Sequence, residues 1–205
     1  MIGILLAGLL MPAQAFAAAI AFDLNVEFDN GTTGAYASVT VSETSNGELD
    51  FEISLLSALG PEADLHKFYF NLDDSITGVE LSSEDGVATA YTLSEAPPVA
   101  GGAGSRFDFA VNLGNGAGNR GNGVLQTASF LLTAQAPLSL SDLLEVSSTS
   151  AGIQVTAAAH VQGASLTGNA NSETVGGMLP EPNALALLLV ALLLANRRLR
   201  EALAR

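Results

Sequence analysis

The chain has 205 residues, 21 of them acidic against seven Lys or Arg, a formal net charge of −14, and neither cysteine nor tryptophan. That length leaves room for one domain of ordinary size between terminal segments. The charge disfavours nucleic acid and anionic headgroups as partners, and without cysteine there is no disulfide framework, thiolate metal site or cysteine nucleophile. The charge is also uneven: residues 1–182 carry 20 acids and three Lys or Arg, a formal −17, whereas residues 183–205 carry one acid and four arginines, a formal +3.

Residues 1–19 begin with an apolar run, Ile2 to Met11, followed by small residues including Ala13, Ala15, Ala17, Ala18 and Ala19. An apolar stretch of that length followed by small residues is the pattern of a secretory signal peptide, with cleavage expected after Ala15 or Ala17. No Lys or Arg precedes the run, so either the α-amine of Met1 supplies the expected positive charge or the true start lies upstream.

From Phe22 the period changes to two. Phe22, Leu24, Val26 and Phe28 alternate with Asp23, Asn25, Glu27 and Asp29, predicting a half-buried strand with a carboxylate-rich outer face. Asp29-Asn30-Gly31 reads as a turn. Ala35, Ala37, Val39 and Val41 predict the next strand, and Leu49, Phe51, Ile53 and Leu55 a third after the turn Ser45-Asn46-Gly47. Further strands are expected at residues 66–72, 76–81, 87–93, 107–113, 124–133 and 153–161, with one helical turn over 139–146 capped by Ser141. Eight or nine short strands separated by turns predict an all-β fold, a single antiparallel β-sandwich with jelly-roll-like connections, with a closed barrel as the alternative. Residues 95–105 and 114–123 have loop composition. Residues 163–178, rich in Gly, Ser, Asn and Thr, read as a flexible linker that holds the C-terminal segment clear of the domain.

After Leu179 come Pro180, Glu181 and Pro182, then Asn183, then twelve apolar residues from Ala184 to Ala195, then Asn196, Arg197, Arg198, Leu199 and Arg200. As a helix, twelve residues cover about 18 Å of a hydrocarbon core of about 30 Å. Arginine stems lying along apolar surface while their guanidinium groups reach the interface extend that span. The arginine cluster places this end in the cytoplasm and everything before Pro182 outside. Pro180 and Pro182 hold the residues before them extended, which leaves Glu181 in a form that a protease binds.

Pro-Glu-Pro, an apolar helix and an arginine cluster, in that order, resemble the PEP-CTERM sorting signal. The resemblance covers residues 179–200, about a tenth of the chain, with a short apolar run and five residues after Arg200 as its departures. It implies recognition by exosortase at Pro180, Glu181 and Pro182, with Arg197, Arg198 and Arg200 as the stop-transfer cluster. It further implies a precursor anchored transiently in the inner membrane, then a surface or extracellular protein with a structural role in an exopolysaccharide or biofilm matrix. The expected order is a signal peptide over 1–19, an acidic β-sandwich over 20–162, a linker over 163–178 and a sorting tail with a transmembrane helix over 179–205.

Other chemistry has little support. The glycine-rich segment 114–123 has no following helix and no lysine, unlike a phosphate cradle. Asp29-Asn30-Gly31, Asp73-Asp74 and Glu84-Asp85-Gly86 place carboxylates in turns, as calcium requires, but match no EF-hand and are accounted for by Asx turns. His66 and His160 are expected on opposite sorts of face, without zinc-ligand spacing. There is no G-x-S-x-G nucleophile elbow. With no Trp and three Tyr (Tyr36, Tyr69 and Tyr91), a sugar-stacking platform is poorly supplied. The sequence therefore points away from an enzyme and calls for no cofactor, leaving a glycan- or calcium-binding module as the alternative to a structural role.

Overall fold

The computed structural model describes residues 18–28, 31–82, 92–95, 105–113, 124–143, 145–149, 153–164, 166 and 172–180. The expected signal helix and transmembrane helix lie outside these residues. Within them, alternation of apolar and polar side chains builds strands. β1 (Ala19–Glu27), β2 (Thr33–Glu43) and β3 (Leu49–Leu55) form an antiparallel meander. Phe22, Leu24, Val39, Val41, Leu49, Phe51 and Ile53 turn inward from it and are buried.

The remaining strands are β4 (Asp64–Phe70), β5 (Glu80–Ser82), β6 (Thr92–Glu95), β7 (Ser105–Arg106), β8 (Phe109–Asn112), β9 (Thr127–Thr133), β10 (Ser148–Thr149), β11 (Ala157–Gln162) and β12 (Ser172–Gly177). Ten of the strands form one antiparallel sheet in the order β5-β9-β3-β2-β1-β12-β11-β4-β8-β6, and β7 pairs with β10 as a separate ribbon. The expected helical turn is a 3-10 turn at Leu140–Leu143. Ser139, not Ser141, holds its start, since both its N–H and its hydroxyl donate to the Asp142 carboxylate, at 2.7 and 3.0 Å.

The sheet curls on itself. Phe51 of β3 stacks on Phe130 of β9 with ring centroids 4.8 Å apart and meets Phe68 and Phe70 of β4 at 5.9 and 5.5 Å. β3 and β4 are separated in the sheet by β2, β1, β12 and β11, so these contacts exist only because the concave face closes over one aromatic core. The edge strands β5 and β6 come within 8 Å of each other, Cα to Cα, without sharing a ladder. A smaller cluster on the convex face gathers Phe28, Tyr69, Phe107, Ala110, Val155 and Ala158.

Two β-bulges change which side chains face inward. One lies between Leu24 and Val26. There β1 advances two residues while β2 advances four, and beyond this irregularity the facing of β1 is reversed, so Glu27 pairs with Val175 and is fully buried, while Phe28 joins the convex cluster. The carboxylate-rich outer face expected for β1 therefore keeps Asp23 but loses Glu27. The second bulge lies in β4 opposite the step from His160 to Val161.

The expectation of a linker over 163–178 is corrected for residues 172–178, while 165 and 167–171 lie outside the described residues. β12 lies between β1 and β11, pairing Val26 with Gly176 and Glu27 with Val175 on one side, and residues 157–162 in full register on the other. Glu173, Thr174 and Val175 are buried. The composition that reads as a spacer is what this position demands. A Cβ on Gly176 would come within 2.6 Å of the Phe28 ring, and one on Gly177 would collide with the carbonyl oxygen of Asp23. Only glycine permits that approach of two backbones. Gly177→Ala is expected to push β12 away from β1 and cost about 1–3 kcal/mol, read as a lower denaturant midpoint. An unchanged midpoint would contradict the placement of β12.

Candidate functional site

Of the residues assigned to the sorting motif, Pro180 is described and exposed. Glu181, Pro182, Arg197, Arg198 and Arg200 lie outside the described residues, as does the apolar run 184–195. Among the described residues no helix is long and apolar enough to cross a membrane.

The backbone immediately before Pro180 is tightly held. The Thr156 N–H and hydroxyl both donate to the carbonyl of Gly177, at 3.0 and 3.1 Å. The same hydroxyl accepts the N–H of Leu179 at 2.7 Å. Thr156 is 3 % exposed, and Leu179 belongs to the main core at 5 %. One buried hydroxyl thus satisfies a carbonyl and an amide that have left the ladder, which an apolar side chain of the same shape would leave unpaired. Packing thus extends through Leu179, immediately before Pro180. Thr156 carries no signal in the sequence, since a threonine before an alanine-rich strand looks like any other strand residue.

A polar group lies across β4, β11 and β12. The bulge in β4 places His66 beside Lys67, which pairs with His160, and brings the two imidazoles to 6.2 Å between centroids. The expectation that the histidines occupy opposite faces is therefore corrected; a bulge is invisible to a strict period of two. His66 donates from Nε2 to Asp64 Oδ2 at 3.1 Å, the direction an ionised carboxylate imposes. The other oxygen of Asp64 accepts the N–H of Leu125 at 2.8 Å. Nε2 of His160 is paired with Ser172 Oγ at 2.6 Å, and its buried Nδ1 has no partner. Protonating His160 would bury an N–H that finds no acceptor. Burial, then the neighbouring His66 and Lys67, accordingly lower its pKa from 6.5 to about 4.

A second polar group collects at the mouth of the β4–β8 region. The buried amide of Asn71 accepts the N–H of Asp108 at 2.8 Å and donates to the carbonyl of Glu145 at 3.3 Å. Asp73 closes an Asx turn on the Ser75 N–H at 2.9 Å, and the Ser75 hydrogen bonds hold its carboxyl below the ordinary value. Asp108 is pushed up by desolvation and then by Asp74. Glu145, although exposed, is pushed up by desolvation and then by Asp74, Asp108 and Asp73. Asp73 thus forms the Asx turn that the sequence suggests; among the described residues no group of three or more His, Asp or Glu side chains is arranged to hold a metal ion. Asp29 with Asn30, and Glu84 with Asp85 and Gly86, lie outside the described residues, as does the glycine-rich segment 114–123.

No family model, curated protein or solved structure matches the chain.

The His160 environment has a consequence for acid stability. With the folded pKa depressed, the unfolded chain takes the proton first, so the contribution of His160 is present above pH 6.5 and is lost as pH falls toward about 4. After discounting for partial solvent contact the loss is about 1–2 kcal/mol. Chemical denaturation between pH 7 and 4 should show a shallower decline in His160→Gln than in the unaltered protein. Parallel declines would contradict the assignment.

Proposed function

We propose that the chain is an exported surface or extracellular matrix protein, sorted by exosortase at Pro180, Glu181 and Pro182 and structural in an exopolysaccharide envelope. In this reading the N-terminal signal directs export and residues 184–195, stopped by Arg197, Arg198 and Arg200, hold the precursor in the inner membrane. Cleavage then releases the domain to the cell surface or beyond. We also read the facing halves of the curled sheet as a two-layer sandwich, an architecture suited to a passive, soluble module.

The observation that carries the proposal is the three-part tail. It follows a buried residue, Leu179, and opens at an exposed one, Pro180. Charge supports the same reading. A formal −17 over residues 1–182 favours solubility outside the cell, and the +3 beyond them favours retention of the tail on the cytoplasmic side.

Intact mass of the exported protein tests this. In cells that possess an exosortase the mature species is expected to lack residues 197–205, and in the same cells without the enzyme to retain them. A mature species that keeps Arg205 in the presence of the enzyme overturns the proposal.

A further inference from the structure

We infer that His66 and His160 form an acid-operated latch on the seam between β11 and β12: when both imidazoles carry a proton, the start of β12, Ser172 to Thr174, comes away from β11 while the rest of the sheet stays closed. The inference stands on the packing of β4, β11 and β12 and is independent of what becomes of the tail.

The chain has two histidines, and the fold brings both to one place. Lys67 pairs with His160 across β4 and β11, and His66 occupies the bulge beside Lys67. The charged and titratable groups that face His160 from β4 are therefore His66, Lys67 and Asp64. β12 presents Ser172 and Thr174, which carry no charge, while its Glu173 pairs with Val161 and is turned with it toward the main core. On the far side of β4, β8 sets the uncharged Asn112 opposite Lys67. Glu62, in the turn before β4, is exposed.

His66, Lys67 and His160 thus share one carboxylate, Asp64, and both of its oxygens are engaged, one by His66 and the other by the N–H of Leu125. A proton on His66 is matched by Asp64. A proton on His160 then meets two like charges, has no carboxylate of its own and puts an N–H at the buried Nδ1, where no acceptor lies. The neutral ring avoids this by leaving Nδ1 bare and donating from Nε2 to Ser172 Oγ, at 2.6 Å. Turning the charged ring to water relieves it, and that ring is tied to the first residue of β12.

The seam is weakest at the same end. Ser172 and Glu173 are laddered on β11, opposite Gln162 and Val161. The ladder from β12 to β1 takes in Val175 and Gly176, with the Thr174 carbonyl accepting the N–H of Phe28 at 2.9 Å. Among the described residues β12 is therefore held on two sides from Thr174 onward and on one side before it, so its start can open without parting β1 from β12.

The test is amide hydrogen exchange on the full chain in detergent micelles between pH 7 and 4, with protection corrected for intrinsic exchange. The open form binds one proton more than the closed one, so below pH 6.5 protection of Ser172 to Thr174 is expected to fall about tenfold per pH unit until about pH 4, while β2 and β3 keep theirs. His160→Gln keeps a hydrogen-bonding side chain against Ser172 and takes no proton, so its protection there is expected to stay flat. The unaltered protein gives a second readout, its two imidazole resonances, assigned with His66→Gln: the His160 signal should titrate below the ordinary histidine range, together with the loss of protection. Protection of Ser172 to Thr174 that stays flat in the unaltered protein, or falls equally in His160→Gln, overturns the inference. So does loss of protection in β2 and β3 at the same pH, or a His160 signal that titrates at the ordinary value.

Discussion

The close approach of β1 and β12, with the α-carbon of Gly177 against the carbonyl of Asp23, is the contact on which the rest of the structure depends. Through it the first of the described strands pairs with the last. Without β12, β1 and β11 would face each other across a missing strand, and the concave face could not close. The Phe51, Phe68, Phe70 and Phe130 cluster needs both halves of that face. Sheet closure therefore waits for the C-terminal end of the domain, a pairing of high sequence separation whose loop-closure entropy is among the last met in folding.

The position of the chain exit is a result of that closure. Leu179 completes the core only because β12 delivers it there, and Thr156 holds it only because β11 lies beside β12. Extracting a buried leucine costs about 2–5 kcal/mol, so the chain is firmly held as far as Leu179. Pro180 therefore follows directly on a segment that is hydrogen-bonded to the sheet and packed into its core.

Much of the fold was legible in the sequence. Phe22 and Leu24, Val39 and Val41, Leu49, Phe51 and Ile53 announce β1 to β3 through plain alternation, because one face of each is dry and the other wet. Legibility failed where a second constraint overrode the period. A bulge turned Glu27 inward and Phe28 outward, and another set His66 near His160. Phe107, in phase with Phe109 and Val111, instead packs on Tyr69 in the convex cluster at 5.7 Å. β12 was hidden most completely. Its glycines are there for backbone approach, and glycine in a polar setting has the composition of a linker. At the chain exit the residues that announce themselves are Pro180 and Glu181, while those that fix their base, Thr156 and Leu179, carry no distinguishing pattern.

Amide hydrogen exchange over residues 172–179 tests the central claim most directly, because it asks whether the segment before the motif belongs to the sheet. Protection of the Val175, Gly176 and Leu179 amides should match that of β1 and β11, since all open in the same cooperative event. Exchange of those amides at the rate of an unstructured chain, with β1 and β11 still protected, would contradict it.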